Sequence, residues 1–201
     1  MWQRNEQSYC SNASNISKYR MGQIVIIGLS GYASAGKDSV AQILVEKFGY
    51  KRMAFADAIR DILYTLDPLT NNGLHLRTVV DDYGWDLAKQ DNEIRRLLQV
   101  LGTEVGRNVF GDDVWVDVLI SRLEPLDKVV ITDVRFPNEA RELHNLAGEI
   151  WRVNREGVSA INEHISETQM DEYNFDKIID NNGSLKDLEH AIVELIEANN
   201  E

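Results

Sequence analysis

An α/β domain built on five strands is what this sequence predicts, and three observations predict it. Continuous β-branched runs stand at Ile24–Gly28 and Lys128–Asp133, as strands buried on both faces of a parallel sheet require. Apolar residues between such runs fall at helical spacing. Turn-forming residues gather at the joints. Strands alternating with helices point to a doubly wound sheet with helices on both faces.

Each element follows in order. Residues 1–23 are polar and irregular, without the apolar core or cleavage site of a signal peptide, and read as an N-terminal extension. Met21 offers an alternative start, and Asn12, in Asn-Ala-Ser, matters as a glycosylation acceptor only after secretion. The first strand is Ile24–Gly28. Val40, Ile43, Leu44 and Phe48 mark the first helix, with Gly49 as its stop. A short strand at Arg52–Phe55 leads into a helix over Ala56–Leu66, and residues 67–73 are turn chemistry. Ile94, Leu97, Leu98 and Leu101 share one helix face; Val114, Val118 and Leu119 share another. The strand Lys128–Asp133 ends in a carboxylate, and a helix runs from Pro137 to Leu146 with proline in its first turn. Strands at Glu149–Arg155 and Lys177–Asp180 follow. Ser184 opens the last helix with Asp187 in capping-box spacing, and Leu185, Leu188, Ile192 and Leu195 form its stripe. There are no internal repeats.

Composition narrows the function classes. The 201 residues suit one domain of generous size. With 21 Lys+Arg against 33 Asp+Glu, the net charge is −12, which disfavours a protein that coats duplex nucleic acid by neutralising phosphates. A small phosphorylated ligand held by a few local cations fits. Cys10 stands alone, so neither a disulfide framework nor a Cys-rich zinc site is expected. The run Ile24–Gly28 is far too short to span a bilayer. The expectation is a soluble, cytoplasmic protein with no membrane partner; a homodimer stays open.

The sharpest local signal follows the first strand and opens the first helix. Gly31-Tyr-Ala-Ser-Ala-Gly36-Lys37 reads G-x-x-x-x-G-K, the phosphate-loop pattern, with Asp38 where Ser or Thr normally stands and Ser39 next. Glycines let backbone N–H groups curl round a phosphate, the helix N-terminus adds positive potential, and the lysine reaches the outer phosphates. Asp38 reads as a Mg²⁺ ligand or proton acceptor beside the Ser39 hydroxyl, or as a first-turn acid favoured by the helix dipole. Asp133, at a strand end, stands where a second acid of such a site holds Mg²⁺ through water; the same placement suits a cap. Moving a phosphoryl group needs several cations. The candidates are Arg60, Arg95, Arg107, Arg135 and Arg155, while Arg96 reads as a solvated surface residue. Arg95 and Gln99, four apart, share a polar helix face. Trp85 reads as core, and Trp115 either as core or as a stacking platform. His164 has no clustered Cys or second His for zinc, and no elbow motif supports a Ser-His pair.

GYASAGKDSVA, AFADAIR (54–60), GWDLAK (84–89), RRLLQVLGTEVGR (95–107), DDVWV (112–116), ITDVRFPNEA (131–140), EHISE (163–167) and DNNGSLKDL (180–188) occur in that order. Together they resemble the deoxynucleoside monophosphate kinases of tailed bacteriophages, from about Ile24 to the C-terminus. The resemblance implies a three-layer α/β/α P-loop fold with a five-stranded parallel sheet. It implies transfer of the γ-phosphate of ATP to a deoxynucleoside monophosphate with Mg²⁺, the aspartate after the lysine being a family trait. Donor binding would fall on Gly31, Ser34, Ala35, Gly36, Lys37, Asp38 and Ser39, with Ser39, Asp38 and Asp133 at the metal. Acceptor binding would fall on Asp57, Arg60, Arg95, Gln99, Arg107, Trp115, Asp133, Arg135 and Glu139. Catalysis would fall on Lys37, Asp38, Arg135 and Arg155. The kinase domain would span 24–201, with a helical acceptor-binding insertion at about 56–125. A short lid at about 155–172 would carry His164, Ser166 and Glu167. Dephospho-coenzyme A kinase, animal-type phosphomevalonate kinase and a nucleotide-binding switch or chaperone without acceptor are the rival readings. The first usually has Ser or Thr after the lysine, the second lacks GWDLAK and LLQVLGTE, and a switch does not require so many arginines.

Overall fold

The structure, a computed structural model, describes residues 24–160 and 168–198. Five strands form one sheet: β1 (Val25–Ser30), β2 (Lys51–Met53), β3 (Lys128–Ile131), β4 (Glu149–Asn154) and β5 (Lys177–Asp180). Their order across the sheet is β2-β3-β1-β4-β5, and every neighbouring pair is parallel. In the centre, Gly28 lies between Ile131 of β3 and Ile150 of β4. All five strands therefore end on the same edge, where ligands of open α/β sheets bind.

Side-chain alternation on β1 feeds two layers. Ile26 joins a core with Phe55, Ile59, Trp115, Leu119 and Leu143, which lie on α2 (Phe55–Leu66), α5 (Val114–Ser121) and α6 (Pro137–Asn145). Ile27 and Leu29 face the other way, towards Val40 and Leu44 of α1 (Lys37–Phe48) and Leu188 and Ile192 of α7 (Leu185–Ala198). The expected three-layer α/β/α sandwich with five parallel strands is thus what forms. Burying a leucine-sized side chain such as Leu44 contributes about 2 kcal/mol. Among the described residues no helix is long and apolar enough to cross a membrane.

Between β2 and β3 the chain leaves the sheet. α3 (Leu76–Ala88) and α4 (Asn92–Gln99) pack with α2 around a satellite core of Leu63, Leu76, Val80, Ala88 and Ile94. Gly84 breaks α3 with φ 73° and ψ 163°. Asp91 caps α4 by accepting the amides of Glu93 (2.8 Å) and Ile94 (3.3 Å).

Two boundaries differ from the expectation for a physical reason. The second strand stops at Met53 and α2 opens at Phe55, because Asp57 takes the Ala54 amide and Asp133 takes those of Phe55 and Ala56. The helix marked by Ile94–Leu101 does not end there. It widens into a π-helical segment over Val100–Phe110. There a Cβ on Gly106 would run into the Trp115 indole, whose Nε1 donates to the Gly102 carbonyl at 2.6 Å.

Candidate active site

The loop between β1 and α1 is shaped by its glycines and their neighbours. Gly31 (φ 142°), Ser34 (φ 66°) and Gly36 (φ 106°) all take positive φ. A Cβ on Gly31 would strike the Val153 carbonyl, and one on Gly36 would strike the Asn181 amide. Both glycines are therefore needed for conformation and for space. Lys37 opens α1 and donates from Nζ to the carbonyls of Gly31 (2.7 Å) and Tyr32 (2.8 Å). Its ammonium thus lies over the loop. Asp38 is exposed and Ser39 half-buried in the first turn.

Across the sheet edge, β3 runs into Asp133. Its two oxygens accept the amides of Phe55 (2.8 Å) and Ala56 (2.9 Å), so this carboxylate holds the N-terminus of α2 against β3. The cap reading of Asp133 is realised, and its remaining lone pairs stay open to a water-bridged cation. Asp57 follows inside α2. It is bonded by Arg52 (2.7 Å) and Arg60 (3.3 Å), and the Arg60 guanidinium lies 5.9 Å from the Trp85 ring centroid. Among the described residues no group of three His, Cys, Asp or Glu side chains gathers as a metal cage. Ser39, Asp38 and Asp133 nonetheless suit Mg²⁺, which takes few protein oxygens and completes its shell with phosphate and water.

Three sequence-predicted acceptor contacts have structural partners in this fold. Trp115 is 6% exposed and packs in the core. Arg107 and Glu139 form a buried ion pair, 5% and 3% exposed. Arg107 also donates to the Asp112 carbonyl (2.8 Å) and Asn138 Oδ1 (3.2 Å), and lies 3.8 Å from the Phe136 ring centroid. The other oxygen of Glu139 accepts the amides of Arg135 (2.7 Å) and Phe136 (3.0 Å). Burial pushes the Glu139 carboxyl up to about 7, against the pull of Arg107 and those two amides. The pair binds the π-helical segment to the loop that carries Arg135.

The remaining candidates divide by place. Arg135, half-buried, follows β3, and Arg155, exposed, follows β4, so both stand on the edge that bears the phosphate loop. Arg95 and Gln99 are half-buried on α4, which packs on α2. Arg96 pairs with Glu93 at 2.8 Å on the surface. His164, Ser166 and Glu167 lie outside the described residues, as do residues 1–23.

Sequence reasoning missed two supports of the loop. Arg152, 9% exposed on β4, places its guanidinium 4.8 Å from the Tyr32 ring centroid and 3.3 Å from Asp171 Oδ1. A hydrogen bond to Asp171 holds the Tyr32 phenol above its ordinary value. Asn181, 8% exposed just after β5, donates from Nδ2 to the Ala35 carbonyl at 2.9 Å. A lone arginine amid the apolar run of β4 was a usable signal; an asparagine in a turn was not.

Comparison with known proteins gives a consistent family. A family model described as deoxynucleotide monophosphate kinase matches residues 82–192, more than half of the chain. A protein of Acanthamoeba polyphaga mimivirus, provisionally named as a deoxynucleotide monophosphate kinase, is 25% identical over 87% of this chain and 97% of its own length. The deoxynucleotide monophosphate kinase of Escherichia phage RB69 is 31% identical over 51% of this chain, which is 44% of that protein. Among solved structures, shikimate kinase from Aquifex aeolicus is 13% identical over 87% of this chain and 97% of its own, with a TM-score of 0.44. That likeness is loose.

Proposed function

The chain belongs to the deoxynucleotide monophosphate kinase family, and we propose on that premise that it transfers the γ-phosphoryl group of ATP to a deoxynucleoside monophosphate. The products are ADP and the deoxynucleoside diphosphate. The observation that carries this is the glycine-shaped loop with Lys37 at its helix end, on the same sheet edge as Arg135.

Donor phosphates lie in the loop against the first amides of α1, and Lys37 exchanges its two carbonyl partners for phosphate oxygens. Arg135 faces the moving group from β3, and Arg155 from β4. An oxygen of the acceptor 5′-phosphate attacks Pγ, and the bond from Pγ to the β-bridging oxygen breaks, leaving ADP. With a second pKa of about 6, the acceptor phosphate is largely deprotonated at neutral pH, so no general base is required. Ser39 and Asp38 would hold Mg²⁺, with Asp133 reaching it through water. When bound, the ion would supply charge neutralisation for the transferred phosphoryl group. The acceptor rests against Asp57, Arg60, Arg95 and Gln99 on α2 and α4. Arg107, Glu139 and Trp115 position the elements around it.

An acceptor panel tests the reading. ADP formation from ATP·Mg²⁺ is measured with each deoxynucleoside monophosphate and with dephospho-coenzyme A. Turnover with one or more of the former supports it. Turnover with dephospho-coenzyme A alone, or ADP release independent of any acceptor, overturns it.

A further inference from the structure

Two consecutive asparagines after β5 join the phosphate loop to the turn that carries Arg155. Asn181 donates its side-chain amide to the Ala35 carbonyl at 2.9 Å, and its backbone N–H to the Asn154 carbonyl at 2.8 Å. Asn182 accepts the Glu156 amide on Oδ1 at 2.8 Å. The turn is closed by Val158 N–H donating to the Arg155 carbonyl at 3.2 Å. Asn154 Oδ1 in turn accepts Arg152 Nε at 3.3 Å, and Arg152 lies over Tyr32 of the loop. The bonds therefore run from the loop out to the Arg155 turn and back again.

Peptide geometry gives the Asn181 bond its effect. In a planar trans peptide the carbonyl and the next N–H point in opposite directions. With the Ala35 carbonyl turned onto Asn181, the Gly36 N–H must point away from Asn181. That amide is one of the donors a phosphate loop offers to its ligand. The absence of a Cβ on Gly36 is what lets the asparagine amide sit there.

We infer that Asn181 and Asn182 act as a strut: Asn181 is a positioning residue for the Gly36 amide, and Asn182 transmits occupancy of the loop to the Arg155 turn. This rests on the donor-site reading above. Ordering the loop with phosphate stiffens its Ala35 carbonyl, and the strut passes that order to the Glu156 amide by a backbone route separate from the Arg155 side chain.

Hydrogen–deuterium exchange on the full chain, with and without the non-hydrolysable ATP analogue AMP-PNP, tests the strut. In the wild type, saturating AMP-PNP slows exchange across 154–158 about fivefold. Asn182→Ala, at an exposed position, keeps AMP-PNP affinity within about twofold and loses that slowing. Asn181→Leu, of similar volume but with no donor, weakens AMP-PNP binding about tenfold at an unchanged acceptor KM. Slowing that survives in Asn182→Ala, or wild-type affinity in folded Asn181→Leu, overturns the strut. If Asn181→Leu does not fold, the exchange ratios of wild type and Asn182→Ala decide alone. A wild type that fails to bind AMP-PNP refutes the donor site instead, whereas binding without slowing refutes only the strut.

Discussion

The donor and acceptor sides of this molecule are built in opposite ways. The ligand-facing part of the donor side is one stretch of backbone, in which β1, the glycine-shaped loop and α1 follow each other directly and Lys37 bonds carbonyls five and six residues back. Asn181, just after β5, and Arg152 of β4 buttress it. The acceptor side is assembled from segments far apart in the chain. Asp133 reaches 78 residues to the Phe55 amide, and Arg107 reaches 32 residues to Glu139. On the donor side, charge sits where a ligand arrives. On the acceptor side, much of the charge is consumed in holding elements together. Substitutions in the first should therefore cost rate, and in the second stability.

Lys37→Ala offers the largest break of that contrast. Turnover should fall about 1,000-fold, the scale of losing a transition-state charge partner, with the melting temperature nearly unchanged. A variant that keeps near-normal turnover removes the lysine from the chemistry. Arg107→Ala comes next. Removing one member of a buried ion pair leaves Glu139 uncompensated and should cost about 3 kcal/mol, read from urea unfolding. Unchanged stability with a raised acceptor KM would return Arg107 to the ligand. Arg135→Ala follows, with turnover about 100-fold lower and stability little altered. A lowered melting temperature at full rate would move it to the structural side.

The smallest effect sharpens the boundary through pH. In the folded chain Glu139 titrates near 7, above its ordinary value of 4.5. A carboxyl raised on folding contributes stability that is complete below its unfolded pKa and is lost as pH rises through the folded one. The melting temperature should thus decline between about pH 5 and 7, and Glu139→Gln should flatten that decline. An identical slope in the variant would take the titration away from Glu139.

The same contrast explains what could be seen in the chain before folding. Strand runs, the Gly31–Ser39 loop, the Ser184–Asp187 capping box and the Pro137 helix start are local patterns, and all are present, the strands with ends shifted by up to two residues. Roles set by distant partners were not legible. A cluster of arginines near a cleft looks the same whether a residue faces phosphate or Glu139. Trp115 has one composition as a platform and as core, and only Gly102 and Gly106 lying against it decide. The π-helical course of 100–110 likewise depends on that tertiary contact.

The outermost strands carry a last consequence. β2 is three residues long with Lys51 and Arg52 exposed, and β5 is four residues long with Asp180 exposed at its end. Such brief margins, ionic apart from the exposed Ile178 of β5, give a neighbouring copy little unpaired backbone to extend. The chain should accordingly tolerate heavy accumulation during expression without fibril seeding, a dividend of where the sheet stops.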